Sequence, residues 1–447
     1  MNFMLPDYVS SAINRLKNAG YEAYAVGGCI RDAIMRKEPH DYDICTDAEP
    51  QEIKRIFTDS ITVDTGIKHG TVTVISEGRS IEITAFRSES SYSDGRHPDS
   101  VSFTKNLFDD LARRDFTVNA LAYSDETGMI DVFGGAKDIS DKMIRCIGEP
   151  KKRFGEDYLR ILRAIRFSSV LGFEIEPNTS DAMLDMRENL KRIAPERIAA
   201  ELKKTVCGSS FEQVFMKYTE IFTTVIPELK PCVGFNQKNP HHRFELHTHL
   251  AKTVSASPVN YISRLAALFH DIGKPSVLSY DESGIAHYYS HASVSSEISE
   301  KILRRLHFSN LEISKITTLI RYHDGVIEES EKAVKRRLNK LGEEAFFDLV
   351  ALQRADNAAQ TEDSCFRSAH CDKLCQIAGD IISKSECVSL NRLAVNGYDM
   401  LSLGLCGKSI GDALSFLLDS VMNGEIANEK EALLQYWEKN RNRSSPS

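Results

Sequence analysis

Asp41 and Asp43 stand two residues apart in His40-Asp41-Tyr42-Asp43-Ile44. On a strand, residues i and i+2 point to the same side, so both carboxylates face one point. Two ionised carboxylates at close range repel unless a cation lies between them. Magnesium suits that place, because it takes hard oxygen ligands and shares itself with substrate phosphates. A third carboxylate is expected at Glu82. In Ile81-Glu82-Ile83-Thr84 the isoleucines face a core and Glu82 the other side. Two magnesium ions on Asp41, Asp43 and Glu82 would activate a 3′-hydroxyl and stabilise a leaving pyrophosphate, which makes these three the expected catalytic residues. Upstream lies Val26-Gly27-Gly28-Cys29-Ile30-Arg31-Asp32. Gly27 and Gly28 at a strand-to-helix turn let backbone N–H groups approach a phosphate. A Gly-Gly turn alone is a weak sign, and the Asp-x-Asp that follows gives it weight.

A second constellation lies further on. Nine of the thirteen histidines fall between His241 and His323. They include His249, adjacent His270 and Asp271, His287, His291 and His323, and Asp356 follows. A single histidine beside an apolar helix is usually a core residue, but imidazoles and carboxylates in series suit a divalent transition metal. The expected ligands are His249, His270, Asp271, His291, His323 and Asp356, with His247 and His242 as alternatives for the first.

Asp157 and Arg160 suggest a third kind of chemistry. In a continuous helix over 156–170 they are i and i+3 and share a face. The plain reading is a helix salt bridge. The functional one is base selection: a carboxylate accepts from an exocyclic amine and a guanidinium donates to ring acceptors. Cytosine and adenine carry an amine where uracil and guanine carry a carbonyl, so a rigid Asp/Arg pair would accept C and A without a nucleic-acid template. Arg163 and Arg166 continue the helix toward phosphates or ion pairs.

These groups need elements to position them. Stretches 24–26, 42–44, 71–75 and 80–86 are short, β-branched or aromatic and bounded by turn residues, so they read as strands; 50–57 reads as a helix. A short amphipathic helix is expected after Pro6. From about residue 147 the pattern is helical to the end, with Leu159, Leu162, Ile165 and Val170 as one apolar stripe and Leu265, Leu268 and Phe269 as another. The expected fold is α+β and multidomain. A small head of β-sheet with helices (1–145) leads into an all-α neck (146–206), a body (207–385) and a tail (386–447). Four parts are within reach of 447 residues.

Composition narrows the class. Hydrophobic residues make up 42% and charged residues 27%, as in ordinary globular chains. No apolar run is long enough for a membrane helix, and the N-terminus does not read as a signal peptide. Ten cysteines without such a signal point to reduced thiols and a cytoplasmic protein. A zinc site from Cys365, Cys371, Cys375 and His370 is outweighed by structural thiols. The net charge of −8 does not suggest a nucleic-acid binder, but local patches decide that question. Basic runs at 151–153, 304–305, 335–337 and 439–443 read mostly as solvated faces.

The stretch from Val26 to Pro50, VGGCIRDAIMRKEPHDYDICTDAEP, strongly resembles the opening motif of the class II CCA-adding enzymes and bacterial poly(A) polymerases. Leu111 to Ala120, LARRDFTVNA, resembles the same family, and so does Glu156-Asp157-Tyr158-Leu159-Arg160. The resemblance implies that Arg113, Arg114, Asp115 and Asn119 meet the nucleotide's ribose and phosphates, and Gly27, Gly28 and Arg31 are expected to bind the nucleotide with them. It implies that Asp157 and Arg160 choose the base. Asp131–Asp138 looks like the family's hinge, and Pro195–Lys204 like a support for the base-choosing helix. Residues 86–99 resemble a family loop needed for the last A addition. Residues 393–400 and 407–411 look like a tRNA-binding end. The histidine series resembles the HD phosphohydrolase superfamily, placing an HD domain at about 240–360. The implied function is addition of CCA to the tRNA acceptor end from CTP and ATP. An A-adding relative or poly(A) polymerase shares these motifs. The readings from other classes are an HD-type phosphohydrolase as the main activity and a non-catalytic RNA binder.

Overall fold

The computed structural model describes residues 4–66, 70–76, 78–89, 101–238, 243–360, 365–384 and 386–440. It divides into two compact units, Met1–Pro227 and Glu228–Ser447.

The first unit opens with the helix Asp7–Asn18, whose Val9, Ala12, Ile13 and Leu16 are buried at helical spacing. Among the described residues up to Asp131, nine strands follow: β1 (Ala23–Val26), β2 (Asp43–Thr46), β3 (Ile61–Gly66), β4 (Thr71–Ser76), β5 (Arg79–Ala85), β6 (Arg87–Glu89), β7 (Val101–Phe103), β8 (Leu121–Ser124) and β9 (Gly128–Asp131). Seven of them form one sheet in the order β3-β4-β5-β2-β1-β8-β9, and β6 pairs with β7. Only β2 and β5 run parallel within the sheet. Every residue of β1 is buried, as expected of a central strand covered on both faces. Tyr24, Val26, Cys45, Phe86, Leu111, Ala120 and Ala122 form a core on the sheet. The helix Pro50–Ile56 starts at a capping box between Glu49 and Glu52, with proline in its first turn.

The strand that carries Asp43 begins at that residue, so Asp41 lies just before it and not on it. The ladder explains this. Val26 pairs with Asp43, and the next residue of β1's chain, Gly27, turns away at φ 84°, leaving Asp41 no partner.

The rest of the unit is mostly helical, with two corrections. The expected helix over 156–170 is broken at Asp157, which is extended (φ −145°, ψ 108°) between helices Pro150–Glu156 and Leu159–Leu171. Asp157 and Arg160 therefore do not share the face of one helix. Leu159, Leu162 and Ile165 are buried, but Val170 is 41% exposed and leaves the stripe. The region is also not purely α: Met143–Ile144 pairs in parallel with Glu174–Ile175. Helix Leu159–Leu171 packs on Pro195–Val206.

The second unit centres on Tyr261–Phe269, buried from Ser263 to Phe269. Around it lie Leu246–Ala256, His291–Arg305, Asn310–Tyr322, Glu331–Leu341, Glu343–Gln360 and Cys365–Ser383. A two-stranded hairpin, Ser279–Tyr280 with Ala286–His287, again interrupts the expected all-α pattern. The last helices, Gly397–Ser402, Lys408–Met422 and Lys430–Asn440, enclose Val395, Met400, Leu417, Leu433 and Trp437. No helix among the described residues is long and apolar enough to cross a membrane.

Candidate active site

In the first unit, Asp43 and Glu82 are direct partners across the parallel pair β2–β5, so their side chains emerge on one face about 5 Å apart. Ile81 and Ile83 point into the core on the other face. Burial, then Glu82 and Asp41, raise the Asp43 carboxyl to about 6, with Arg114 partly opposing them. A carboxylate crowded by two others has the donor set and the excess negative charge that a hard divalent cation neutralises.

The Gly27 turn borders this cluster. A Cβ on Gly27 would lie 3.1 Å from Arg114 Nη1, so the turn is open because residue 27 has no side chain. Gly28 opens the short helix Gly28–Ile34. Fully buried Asp110 holds Arg113 at 2.7 Å and Arg114 at 3.3 Å.

Beside it runs a chain of polar contacts. Arg31 donates to Asn119 Oδ1 at 2.7 Å, and Asn119 Nδ2 donates to Asp115 Oδ1 at 3.1 Å. Arg163 pairs with Asp115 Oδ2 at 2.6 Å. Burial alone would raise Asp115; Arg163 and Asn119 outweigh it and hold the carboxyl at about 2. The guanidinium carbons of Arg31, Arg163 and Arg166 lie 5.4, 5.5 and 4.1 Å from the centre of the Phe167 ring. Arg166 pairs with Glu201 at 2.6 Å, so both helix arginines make ion pairs. Phe167 carried no sign of this role in its spacing.

Asp157 and Arg160 are each held by another residue. Arg197, 40 residues on, donates to both oxygens of Asp157 at 2.8 and 3.3 Å. Asp157 Oδ1 accepts from the Leu159 N–H at 3.0 Å. Arg160 reaches Glu156 at 2.5 Å and the carbonyls of Arg153 and Arg113 at 2.9 and 3.1 Å. Glu156 and Arg197 lay inside segments the sequence singled out, without an expected contact. The loop over 90–100 lies outside the described residues.

In the second unit the histidine series converges. His249 sits in Leu246–Ala256, His270 and Asp271 follow Tyr261–Phe269, His291 opens its helix, His323 ends Asn310–Tyr322, and Asp356 lies on Glu343–Gln360. His249 Nε2 is 3.0 Å from Asp356 Oδ1 and 3.2 Å from His270 Nε2. His291 and His323 Nε2 are 3.3 Å apart and face Asp271 Oδ1 at 3.2 and 3.5 Å. The Nδ1 atoms of His270, His291 and His323 meet the carbonyls of Ala267, Tyr288 and Ile320 at 2.8, 2.8 and 2.7 Å. Donation from Nδ1 leaves each Nε2 with a lone pair aimed at the centre. Two ligand groups result, sharing Asp271: His249, His270 and Asp271, and Asp271, His291 and His323. Asp271 Oδ1 is buried and accepts no hydrogen bond. This donor set fits a transition-metal site.

His247 faces Glu245 at 3.8 Å and stays outside the cluster; His242 lies outside the described residues. His287 pairs instead with Asp281. Lys274, not foreseen, reaches Asp271 Oδ2 at 2.6 Å and Gln237 at 3.0 Å. A cavity of about 690 Å³ opens over Asp271, His291, His323 and Asp356. Cys371 and Cys375 join no metal-ligand cluster among the described residues, and His370 pairs with Glu329. The Cys365 side chain lies outside the described residues.

Three families match parts of the chain: the poly A polymerase head domain over 23–145, the "Probable RNA and SrmB- binding site of polymerase A" over 172–233, and tRNA nucleotidyltransferase domain 2 over 278–437. A CCA-adding enzyme of Leuconostoc citreum is 50% identical over 196 residues, 44% of this chain and 48% of that one. The chain thus spans about half the length of the first such relatives in these matches. The CCA-adding enzyme of Limosilactobacillus fermentum is 33% identical over 429 residues, 95% of this chain and 94% of that one. The crystal structure of the Bacillus stearothermophilus CCA-adding enzyme in complex with CTP superposes with a TM-score of 0.74 at 28% identity, covering 98% of this chain and 99% of that one. With that full-length match, the chain belongs to the CCA-adding enzyme family.

Proposed function

We propose that this protein adds CCA to the tRNA acceptor end from CTP and ATP. The observation that carries the reading is the carboxylate cluster, in which Asp43 and Glu82 are cross-strand partners on one face and Asp41 precedes the same strand. Asp41, Asp43 and Glu82 would hold two magnesium ions, which supply an acidified 3′-hydroxyl and charge compensation for pyrophosphate. Gly27, Gly28, Arg31 and Arg114 receive the triphosphate, and Asp115 with Asn119 receives the ribose. Arg163 and Arg166 fix this pocket through Asp115 and Glu201. Asp157 retains acceptor capacity beside Arg197, and Arg160 is oriented by Glu156. Together they accept the amine edge of cytosine or adenine and leave the carbonyl edge of uracil or guanine unmatched. The head, neck, body and tail at 1–145, 146–206, 207–385 and 386–447 go with this reading, the tail holding tRNA.

The test is incubation with tRNA lacking its 3′ end, supplying each nucleotide separately. Addition of C, C, then A supports the proposal. Addition of A alone, only to CC-ended tRNA, points to the A-adding relative, and absence of incorporation refutes it.

A second reading concerns the imidazoles with Nε2 turned to one point. The HD-like cluster would hold a divalent transition metal on His249, His270, Asp271, His291, His323 and Asp356, supplying an acidified water for phosphoester hydrolysis. Phosphate release from p-nitrophenyl phosphate that vanishes in His270→Ala supports it; release unchanged in that variant refutes it.

A further inference from the structure

Basic runs are ordinarily solvated faces balanced by nearby carboxylates. Two of the runs here are. Lys151 pairs with Asp185 at 2.7 Å and Arg153 with Glu156 at 2.8 Å; Arg304 pairs with Glu300 and Arg305 with Glu228, both at 2.7 Å.

The run on helix Glu331–Leu341 differs. Lys335 is balanced by Glu386 at 2.5 Å. Among the described residues no carboxylate pairs with Arg336, Arg337, Lys340 or, on the neighbouring helix Asn310–Tyr322, Arg321. Arg336 reaches only the Asn423 side-chain oxygen at 3.4 Å. Arg337 and Lys340 both lie over the ring of Tyr322, at 5.3 and 4.8 Å from its centre. In a chain of net charge −8, two cations share one aromatic ring, and among the described residues neither pairs with a carboxylate. Like charges this close repel, and a polyanion would relieve the repulsion.

Position adds to this. Tyr322 immediately precedes His323. A Cβ on Gly325 would lie 3.5 Å from Arg337 Nη2, and Gly325 lines the cavity over the histidine cluster. The basic patch is thus continuous with the cavity mouth.

We propose that Arg337 and Lys340, with Tyr322 between them and Arg321 and Arg336 beside them, dock the phosphate backbone of an RNA strand at the mouth of this cavity, an inference that rests on the RNA-directed reading above. The contact is to backbone charge, so it is not sequence-specific and weakens with salt.

The test uses the full chain and labelled tRNA, with dissociation constants measured from 50 to 200 mM salt. In Arg337→Gln/Lys340→Gln the stems still cover Tyr322 while the charge is gone. Each lost phosphate contact flattens the log–log salt slope by about 0.7 to 0.9. The double variant is therefore expected to lose about tenfold of the salt-dependent affinity change over that range. Arg337→Lys/Lys340→Arg is expected to restore the slope. KM for tRNA should rise with kcat and the KM for CTP unchanged. An unchanged slope overturns the dock, and so does a wild-type chain that binds anionic lipid vesicles but no RNA. Failure of the function reading looks different: wild type binds tRNA but incorporates no nucleotide, and the dock then stands or falls on the slope alone.

Discussion

At the residue scale, the head cluster is a problem of charge. Asp43 is pushed up to about 6 first by burial and then by Glu82 and Asp41, so an isosteric neutral residue removes repulsion as well as a proposed metal ligand. Asp43→Asn should therefore leave the fold intact while lowering CCA incorporation more than the 10–100-fold expected when only an outer neighbour of a metal ligand is lost. Incorporation of labelled CTP measures it, and a fall below tenfold would contradict a ligand role. Asp115 has the opposite sign. Burial raises it, but Arg163 and Asn119 win and hold it at about 2, below the ordinary carboxyl value of about 3.9. Its folded form thus prefers to be ionised, and the pairing contributes about 2 kcal/mol that is fully present above pH 4 and lost as pH falls toward 2. In Asp115→Asn that acid-dependent part should disappear. The urea midpoint of the variant should change less than that of the wild type between pH 5 and pH 2.5; equal changes would assign the acid lability elsewhere.

At the element scale, chain-local features were legible in the sequence and long-range partners were not. The strand over 71–75, the helix over 50–57 and the facing of Glu82 away from Ile81 and Ile83 all follow from local alternation or spacing, and the structure has them within a residue or two. The Asp-x-Asp pattern alternates and so reads Asp41 onto a strand; the turn at Gly27 ends its partner strand, which local alternation cannot register. Spacing does not reveal the break at Asp157, because residues 156–170 keep helical spacing across it. The clue was aspartate's habit of capping helices, which it does here through the Leu159 N–H. Arg197 is 40 residues away, so no spacing rule brings it to Asp157. That contact has a consequence for base choice. If Arg197 positions Asp157, then Arg197→Gln should let the carboxylate move and raise UTP and GTP misincorporation about tenfold, the size of a lost charged hydrogen bond. Asp157→Ala should raise it at least as much. Arg197→Lys should recover part of the selectivity, whereas a purely structural role would leave selectivity unchanged and lower only thermal stability. The helix carrying Arg160 and Arg163 offers a separate test of packing. A Cβ on Gly208 would lie 2.1 Å from Ser169 Oγ and 2.5 Å from the Ser169 carbonyl, so Gly208→Ala should cost about 1–3 kcal/mol and lower the melting temperature by several degrees.

At the scale of the whole molecule, each site gathers its ligands within one compact unit. The carboxylates around Asp43, the Asp115 network and the Asp157–Arg197 pair all lie before Pro227, and the histidine cluster with its cavity lies after Glu228. The two proposed chemistries should therefore be separable by substitution and by metal. Their donors also differ. Oxygen-only donors in the head would favour magnesium, and imidazole nitrogens in the second cluster would favour a transition metal. His291→Ala with His323→Ala should lower the bound transition metal per chain and abolish phosphate release while CCA addition continues with magnesium. Asp43→Asn should do the reverse. A chelator selective for transition metals should reproduce the histidine variants in the wild type. Should the histidine variants stop CCA addition with magnesium in excess while their melting profile is unchanged, the two centres are coupled, and the assignment of one chemistry to each unit fails.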